Sequence, residues 1–476
     1  MFERVRAAAW TAICVTLCAG CGVREVERPP QARHAVLVSV DALAARHVGA
    51  YGHSADTTPH LDALAAEGAL FASAYTQQLW TLTSHLTMMT GLTPQVLGAG
   101  HERPAREDLV TLAQHLKRAG FTTAAYVGAQ GYMNARFGLG RGFETYVTRS
   151  ANKPLDNRAA FKWLRVQARR ARSDPEHRFF LFLHYYDVHS DAGTQVPYDS
   201  PYRQRFMPEG VQWQHPGDTA VLGRLRRSGE VDDEDRQALH ALYDGGIFFV
   251  DKRAIGPIVE LLEEEGLAEE TLLAVTSDHG DELFEHGNIS HQQPYDEGAR
   301  VPLVMRGPGV PAGLRVEALA GLVDLMPSML SLLGFSPPAN IQGRDLAPLL
   351  RGGPPVRDAV FVDGIMAGYR HYRSAAVVDT AVGRYAWIGR VEAPPGESPR
   401  RFRHEPPAEL YELRTDPGQT RDLAAERPDL AAVLERRILD WYAESEARLA
   451  GLGTVEREKI LSDEDHERLR ALGYSE

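Results

Sequence analysis

Two acids stand where apolar runs stop. Asp41 closes Ala35-Val-Leu-Val-Ser-Val-Asp, and Asp278 closes Thr271-Leu-Leu-Ala-Val-Thr-Ser-Asp and is followed at once by His279, Gly280 and Asp281. Runs of this length and β-branched content predict strands buried on both faces of a parallel sheet. An acid at the carboxyl end of such a strand lies at the mouth of an open α/β sheet, where ligands bind. Two such acids, an adjacent imidazole and a hydroxyl residue make a donor set for a divalent cation that would activate the hydroxyl. Either acid could instead cap a turn or helix, Asp278 as an Asx turn before Gly280. Their placement at the ends of separate strands, one beside His279, favours ligation.

The elements that must carry these residues alternate from residue 34 onward. Helices are predicted over 59–67, 109–118, 155–172, 235–265 (interrupted near Gly256-Pro257) and 322–333, with strands over 69–76, 121–127, 179–187, 271–278 and 301–306. This alternation predicts an α/β fold, a mainly parallel sheet covered by helices on both faces. Gly352-Gly353-Pro354-Pro355 marks a boundary. Beyond it, short strand patterns at 359–362, 374–378, 385–391 and 409–413 and a helix at 428–442 predict a small C-terminal α+β domain with an antiparallel sheet. The irregular stretch 201–233 reads equally as a substrate lid or a surface insertion.

Composition narrows the classes. At 43% hydrophobic and 24% charged, the 476 residues are ordinary for a globular chain. A net charge of -12 argues against a nucleic-acid partner, which needs a basic face. The three cysteines, Cys14, Cys18 and Cys21, all lie at the start, behind Arg4 and Arg6 and within or just after the apolar run 7–19. Residues 1–21 are expected to be a signal peptide of lipoprotein type with Cys21 acylated, and 22–33 a linker. The exported protein would then meet the membrane only through a lipid anchor, in the cell envelope; a periplasmic or extracellular form is the alternative.

Several motifs together resemble the sulfatases of the alkaline phosphatase superfamily. They include Asp-Ala-Leu at 41–43, Thr-Thr-Pro-His-Leu-Asp-Ala-Leu-Ala at 57–65 and Ser-His with Thr-Gly at 84–91. Ser-Asp-His-Gly-Asp-Glu at 277–282, Tyr-Asp-Glu at 295–297, Arg-Val-Pro-Leu-Val-Met-Arg-Gly-Pro-Gly at 300–309 and Glu-Leu-Tyr-Glu-Leu-Arg-Thr-Asp-Pro at 409–417 continue the series. The order and spacing carry the resemblance across 34–476. It implies an alkaline phosphatase-like catalytic domain over 34–353, a C-terminal α+β subdomain over 354–476, and a single divalent ion held by Asp41, Thr81, Asp278 and His279. Calcium, magnesium, zinc and manganese are all compatible with such donors.

The chain departs from the family at the nucleophile. Where relatives carry Cys or Ser, then Pro, Ser and Arg, this sequence reads Thr81-Leu82-Thr83-Ser84-His85. Threonine cannot become formylglycine, so none is expected. Thr81 is instead expected to attack as a metal-bound alkoxide, the chemistry of superfamily members that act on phosphorus. Ala42 replaces a usual second acid, and Ala44 and Arg46 replace an Arg and an Asp. By resemblance, His189 and His291 serve the oxyanion and leaving group, while His85 and His286 contact substrate. Asp187, His189 and His291 are weighed as a second metal set. The implied function is hydrolysis of sulfate, phosphate or phosphonate esters of a small molecule, glycan or lipid. A phosphoethanolamine- or phosphoglycerol-type transferase and a non-catalytic homologue are the alternatives.

Overall fold

The computed structural model describes residues 31–99, 104–128, 131–149, 155–189, 202, 204–213, 231–364, 373–392 and 402–453. The expected signal peptide, most of the linker and of the 201–233 stretch, and the terminal segment lie outside them.

A nine-stranded sheet organises the protein. Its strands are β1 (His34–Val40), β2 (Ala69–Tyr75), β3 (Phe121–Val127), β4 (Thr145–Thr148), β5 (Arg178–Tyr185), β6 (Thr271–Thr276), then β9 (Arg300–Val301), β10 (Leu303–Arg306) and β11 (Leu314–Gly321). The two-stranded ribbon of β7 (Glu282–Leu283) and β8 (Ile289–Ser290) stands apart. The order is β11-β2-β10-β6-β1-β5-β3-β4, with β9 against β2. Strands β6, β1, β5, β3 and β4 run parallel, and the reversed β10 sits between β6 and β2.

The apolar runs behave as buried strands must. Every residue of β1 is buried. Ala35 and Leu37 enter one core with Phe180 and Ala274, whereas Val36, Val38 and Val40 enter the other with Leu181 and Val275. Period-two alternation thus feeds two helical layers from one strand. Strands β4 and β11 are additions to the predicted set. Both are edge strands with partly exposed residues, so their patterns lack the continuous apolar signal.

Helix ends follow local chemistry. The expected helix at 109–118 starts at Leu112, because Thr111 and Gln114 form a capping box. The 235–265 pattern is one helical run, Asp233–Val250 passing through a π turn, Asp251–Ile255, into Gly256–Glu264. Pro257 has no amide for the Arg253 carbonyl four residues back, which accepts from Asn157 Nδ2 at 2.9 Å instead. Helix α1 spans Pro59–Glu67, and helix α2 spans Thr81–Thr90 with all ten residues buried.

A separate four-stranded antiparallel sheet follows, β12 (Ala359–Val362), β13 (Arg373–Thr380), β14 (Gly383–Glu392) and β15 (Arg403–Glu412). One face buries Trp387 against Leu434, Ile438 and Tyr442 of the helix Pro428–Gly451. The other face packs with Tyr75, Leu79 and Tyr295. It therefore buttresses the segment that leads from β2 into α2.

Candidate active site

Parallel register brings the two acids together. Ser39 of β1 lies opposite Thr276 of β6, and each acid follows two residues later. Between them Ala42 adopts φ 60°, a left-handed conformation that costs a non-glycine residue about 1 kcal/mol. The turn is braced from the helix Asp233–Val250: the Tyr243 hydroxyl donates to the Ala42 carbonyl at 2.5 Å and accepts from the Ala44 amide at 2.9 Å. The conformation also aims the Ala42 amide at Asp278 Oδ1, 3.2 Å away.

Each carboxylate is half anchored and half directed inward. Asp41 Oδ2 accepts from His184 Nε2 at 3.0 Å, while its Oδ1 lies 3.7 Å from His279 Nε2 and 3.9 Å from His189 Nε2. Asp278 Oδ1 accepts from the amides of Ala42 and His279. Its Oδ2 lies 3.4 Å from His279 Nε2, and neither of those two atoms makes a hydrogen bond among the described residues. Asp41, Asp278 and His279 each offer one ligand atom within 4.8 Å of the others, and all three are buried.

The tautomer of His279 gives that contact its meaning. Its Nδ1 is 2.9 Å from the Gly280 carbonyl, so the proton sits on Nδ1. Burial pushes the imidazole below its ordinary pKa, despite the attraction of Asp278, and so keeps it neutral. The Nε2 lone pair then faces a carboxylate oxygen at 3.4 Å. Burial opposes ionisation of Asp278, but the Ala42 and His279 amides that donate to its Oδ1 favour the carboxylate. Two acceptors facing one another in a buried site repel unless a cation lies between them. The donor set therefore fits a divalent metal, with two hard oxygens and one imidazole.

Helix α2 packs against this cluster. Ser84 Oγ donates to the Asp278 carbonyl at 2.8 Å, and His85 Nδ1 is 3.7 Å from Asp278 Oδ2. Residues three and four apart share a helix face. Thr81, the first helical residue and 5% exposed, thus lies on the face turned to Asp278, at the positive end of the helix.

The other expected residues divide into two groups. His189 and His291 join the cluster, and with His279 they place three imidazole nitrogens within 4.8 Å of one another. His291 Nδ1 donates to the Leu79 carbonyl at 2.7 Å, and the His189 ring stacks on Tyr186. His85 lies beneath the cluster, where Nδ1 bonds the Thr81 carbonyl at 2.7 Å and Nε2 bonds Ser39 Oγ at 2.9 Å. His286 stands with a different group, stacked on Tyr295 at 3.7 Å and 3.5 Å from Glu297 Oε2. Asp187 does not join His189 and His291 in a second metal set; it is ion-paired with Arg149, a partner that nothing in its own segment announced. His184, Tyr243 and Ser39 were not anticipated. His184 ends the apolar run 179–183 as Asp41 ends its own, and that parallel was the available signal.

A mainly parallel α/β sheet with this cluster at the carboxyl ends of its central strands is an alkaline phosphatase-like fold. The chain belongs to the sulfatase family, whose model, described as Sulfatase, matches residues 33–335. It is 23% identical over 420 residues to arylsulfatase K of Xenopus laevis, covering 80% of this chain and 77% of that protein. Among solved structures, a phosphonate monoester hydrolase from Silicibacter pomeroyi superposes with TM-score 0.66 at 20% identity, covering 87% of this chain and 95% of its own. A protein in complex with its substrate D-glucosamine-2-N,6-O-disulfate superposes with TM-score 0.64 at 18% identity, covering 88% and 98%. These relatives include hydrolases of sulfuric and phosphonic esters that share the fold.

Proposed function

We propose that this protein is a metal-dependent hydrolase of sulfate, phosphate or phosphonate esters, with the unmodified Thr81 hydroxyl as nucleophile. The observation that carries the reading is the buried contact between Asp278 Oδ2 and the His279 Nε2 lone pair at 3.4 Å, beside Asp41 and under the first turn of α2. Asp41, Asp278 and His279 would hold the ion, with Thr81 completing the set. When bound, a calcium, magnesium, zinc or manganese ion supplies acidification of the hydroxyl and neutralises charge on the ester oxygens.

The side chains do the rest. The Thr81 Oγ1 forms a bond to sulfur or phosphorus as the ester bond to the leaving oxygen breaks, and no carbonyl-type residue at position 81 is needed. The leaving alkoxide takes a proton from His189 or His291. Because His291 Nδ1 is committed to the Leu79 carbonyl, its Nε2 is the atom that carries and delivers a proton, and only in the charged ring. Water then attacks the covalent adduct and gives its proton back to the same imidazole, and the bond to Thr81 breaks. His85, bonded at both nitrogens, orients Thr81 and Asp278 rather than touching substrate.

Threonine favours phosphorus over sulfur, because the formylglycine route of sulfatases is closed to it. Export by the N-terminal segment and lipid attachment at Cys21 belong to the same proposal. The test is turnover of aryl sulfate, phosphate monoester, phosphodiester and phosphonate ester by purified protein with each metal, with intact mass checking residue 81. Turnover of a phosphorus ester by unmodified protein is expected. Ligand binding without turnover of any ester would establish a non-catalytic homologue, and product transfer to an added acceptor alcohol would establish a transferase.

A further inference from the structure

A second cluster, buried at His47 and half-buried at His240 and Glu285, lies beside the first and shares no residue with it. His47 ends the 3-10 turn after β1 and is 3% exposed. Its Nδ1 is 2.7 Å from Asp244 Oδ1, and the other Asp244 oxygen is 3.1 Å from His53 Nε2. A carboxylate at Nδ1 fixes the proton there and leaves the Nε2 lone pair outward. That Nε2 is buried and makes no hydrogen bond among the described residues. Glu285 repeats the pattern: Oε2 accepts from the Leu283 amide at 2.5 Å, while the buried Oε1 makes no hydrogen bond among the described residues. His240 completes the group, with its ring stacked 5.4 Å from that of His47 and its Nε2 3.7 Å from Glu285 Oε1.

We propose that His47, His240 and Glu285 form a second divalent-cation site, separate from the one at Asp41 and Asp278. One ligand atom from each lies within 4.8 Å of the others. Two imidazole nitrogens and one carboxylate oxygen are the donors of zinc-class sites with an open position. The Asp244–His47 bond is the outer-shell carboxylate that orients a metal-binding imidazole and raises its basicity. Arg46 is the competing cation: its NH1 is 3.4 Å from Glu285 Oε1, but the guanidinium is also bound by Glu297 and its side chain is 40% exposed. It can stay on Glu297 when Glu285 turns to an ion. The bound ion would tie three segments together: the turn after β1, the helix Asp233–Val250 and the β7–β8 ribbon.

The test is equilibrium dialysis of the metal-stripped full chain against zinc, with bound zinc counted by mass spectrometry. Wild type should bind two ions, His240→Ala one, Asp278→Asn one, and the double variant none. Glu285→Gln should match His240→Ala, which guards against one variant that misfolds. Cobalt absorption should lose one tetrahedral component in both. If wild type binds one ion and His240→Ala still binds it, the second site does not exist, whatever becomes of the first. If His240→Ala loses an ion and Asp278→Asn loses none, the second site stands and the catalytic assignment fails.

Discussion

Asp278→Asn separates metal binding from folding. Asn keeps an oxygen at Oδ1 to accept from the Ala42 and His279 amides, at 3.2 and 3.0 Å. The new amide nitrogen replaces Oδ2 and can donate to His279 Nε2, now 3.4 Å away. A buried charge disappears and a donor meets an acceptor, so the metal-free fold should lose nothing and gain up to about 2 kcal/mol. Metal binding should fall at least about 100-fold, as for loss of a charged ligand. At an ion concentration 100 times the wild-type Kd, binding stabilises wild type by about 2.7 kcal/mol. A 100-fold weaker variant would gain only about 0.4 kcal/mol at the same concentration. Both arms belong in the His240→Ala background, so that one site reports. Denaturant unfolding with and without metal measures both numbers. Wild-type metal stabilisation in Asp278→Asn, or a metal-free variant weakened by several kcal/mol, would refute the idea that two acceptors face each other across a cation.

Thr81→Ser should keep measurable turnover and Thr81→Ala should remove it, by about 10³-fold or more; a covalent adduct at residue 81, seen by intact mass in wild type and absent from Thr81→Ala, checks the nucleophile. Tyr243→Phe strips the brace from the Ala42 turn, leaving the Ala42 carbonyl and Ala44 amide without it, and should cost about 1–3 kcal/mol in denaturant unfolding. His34, buried at the start of β1 and stacked on Phe179 at 4.2 Å, is pushed by burial from 6.5 to about 3. The unfolded chain therefore takes up a proton near 6.5 that the folded chain refuses, so its stabilising share is complete above 6.5 and is lost as pH falls toward 3. His34→Phe should lose about 2.7 kcal/mol less than wild type between pH 7.5 and 4.5, measured by urea unfolding at each pH.

Much of this protein was legible in one dimension. Continuous apolar runs such as 35–40 and 271–276 announce strands buried on both faces, because only a parallel sheet under two helical layers can hide them. Asp41 and Asp278 were recognisable because a charge that ends such a run emerges at the ligand-binding edge. The edge strands β4 and β11, half exposed, carried no comparable pattern. What each histidine does was settled only in three dimensions. His85 and His279 are the same residue type in neighbouring motifs, yet one has both nitrogens bonded and the other turns a bare lone pair to Asp278. The same holds for His47, which gains significance from Asp244 197 residues further along the chain, and for Glu285, which gains it from His240. Sequence dictates which side chains can bind a proton or an ion. Tertiary contacts decide which atom of each is already satisfied, because hydrogen bonding is short-ranged and a buried lone pair is defined by what surrounds it.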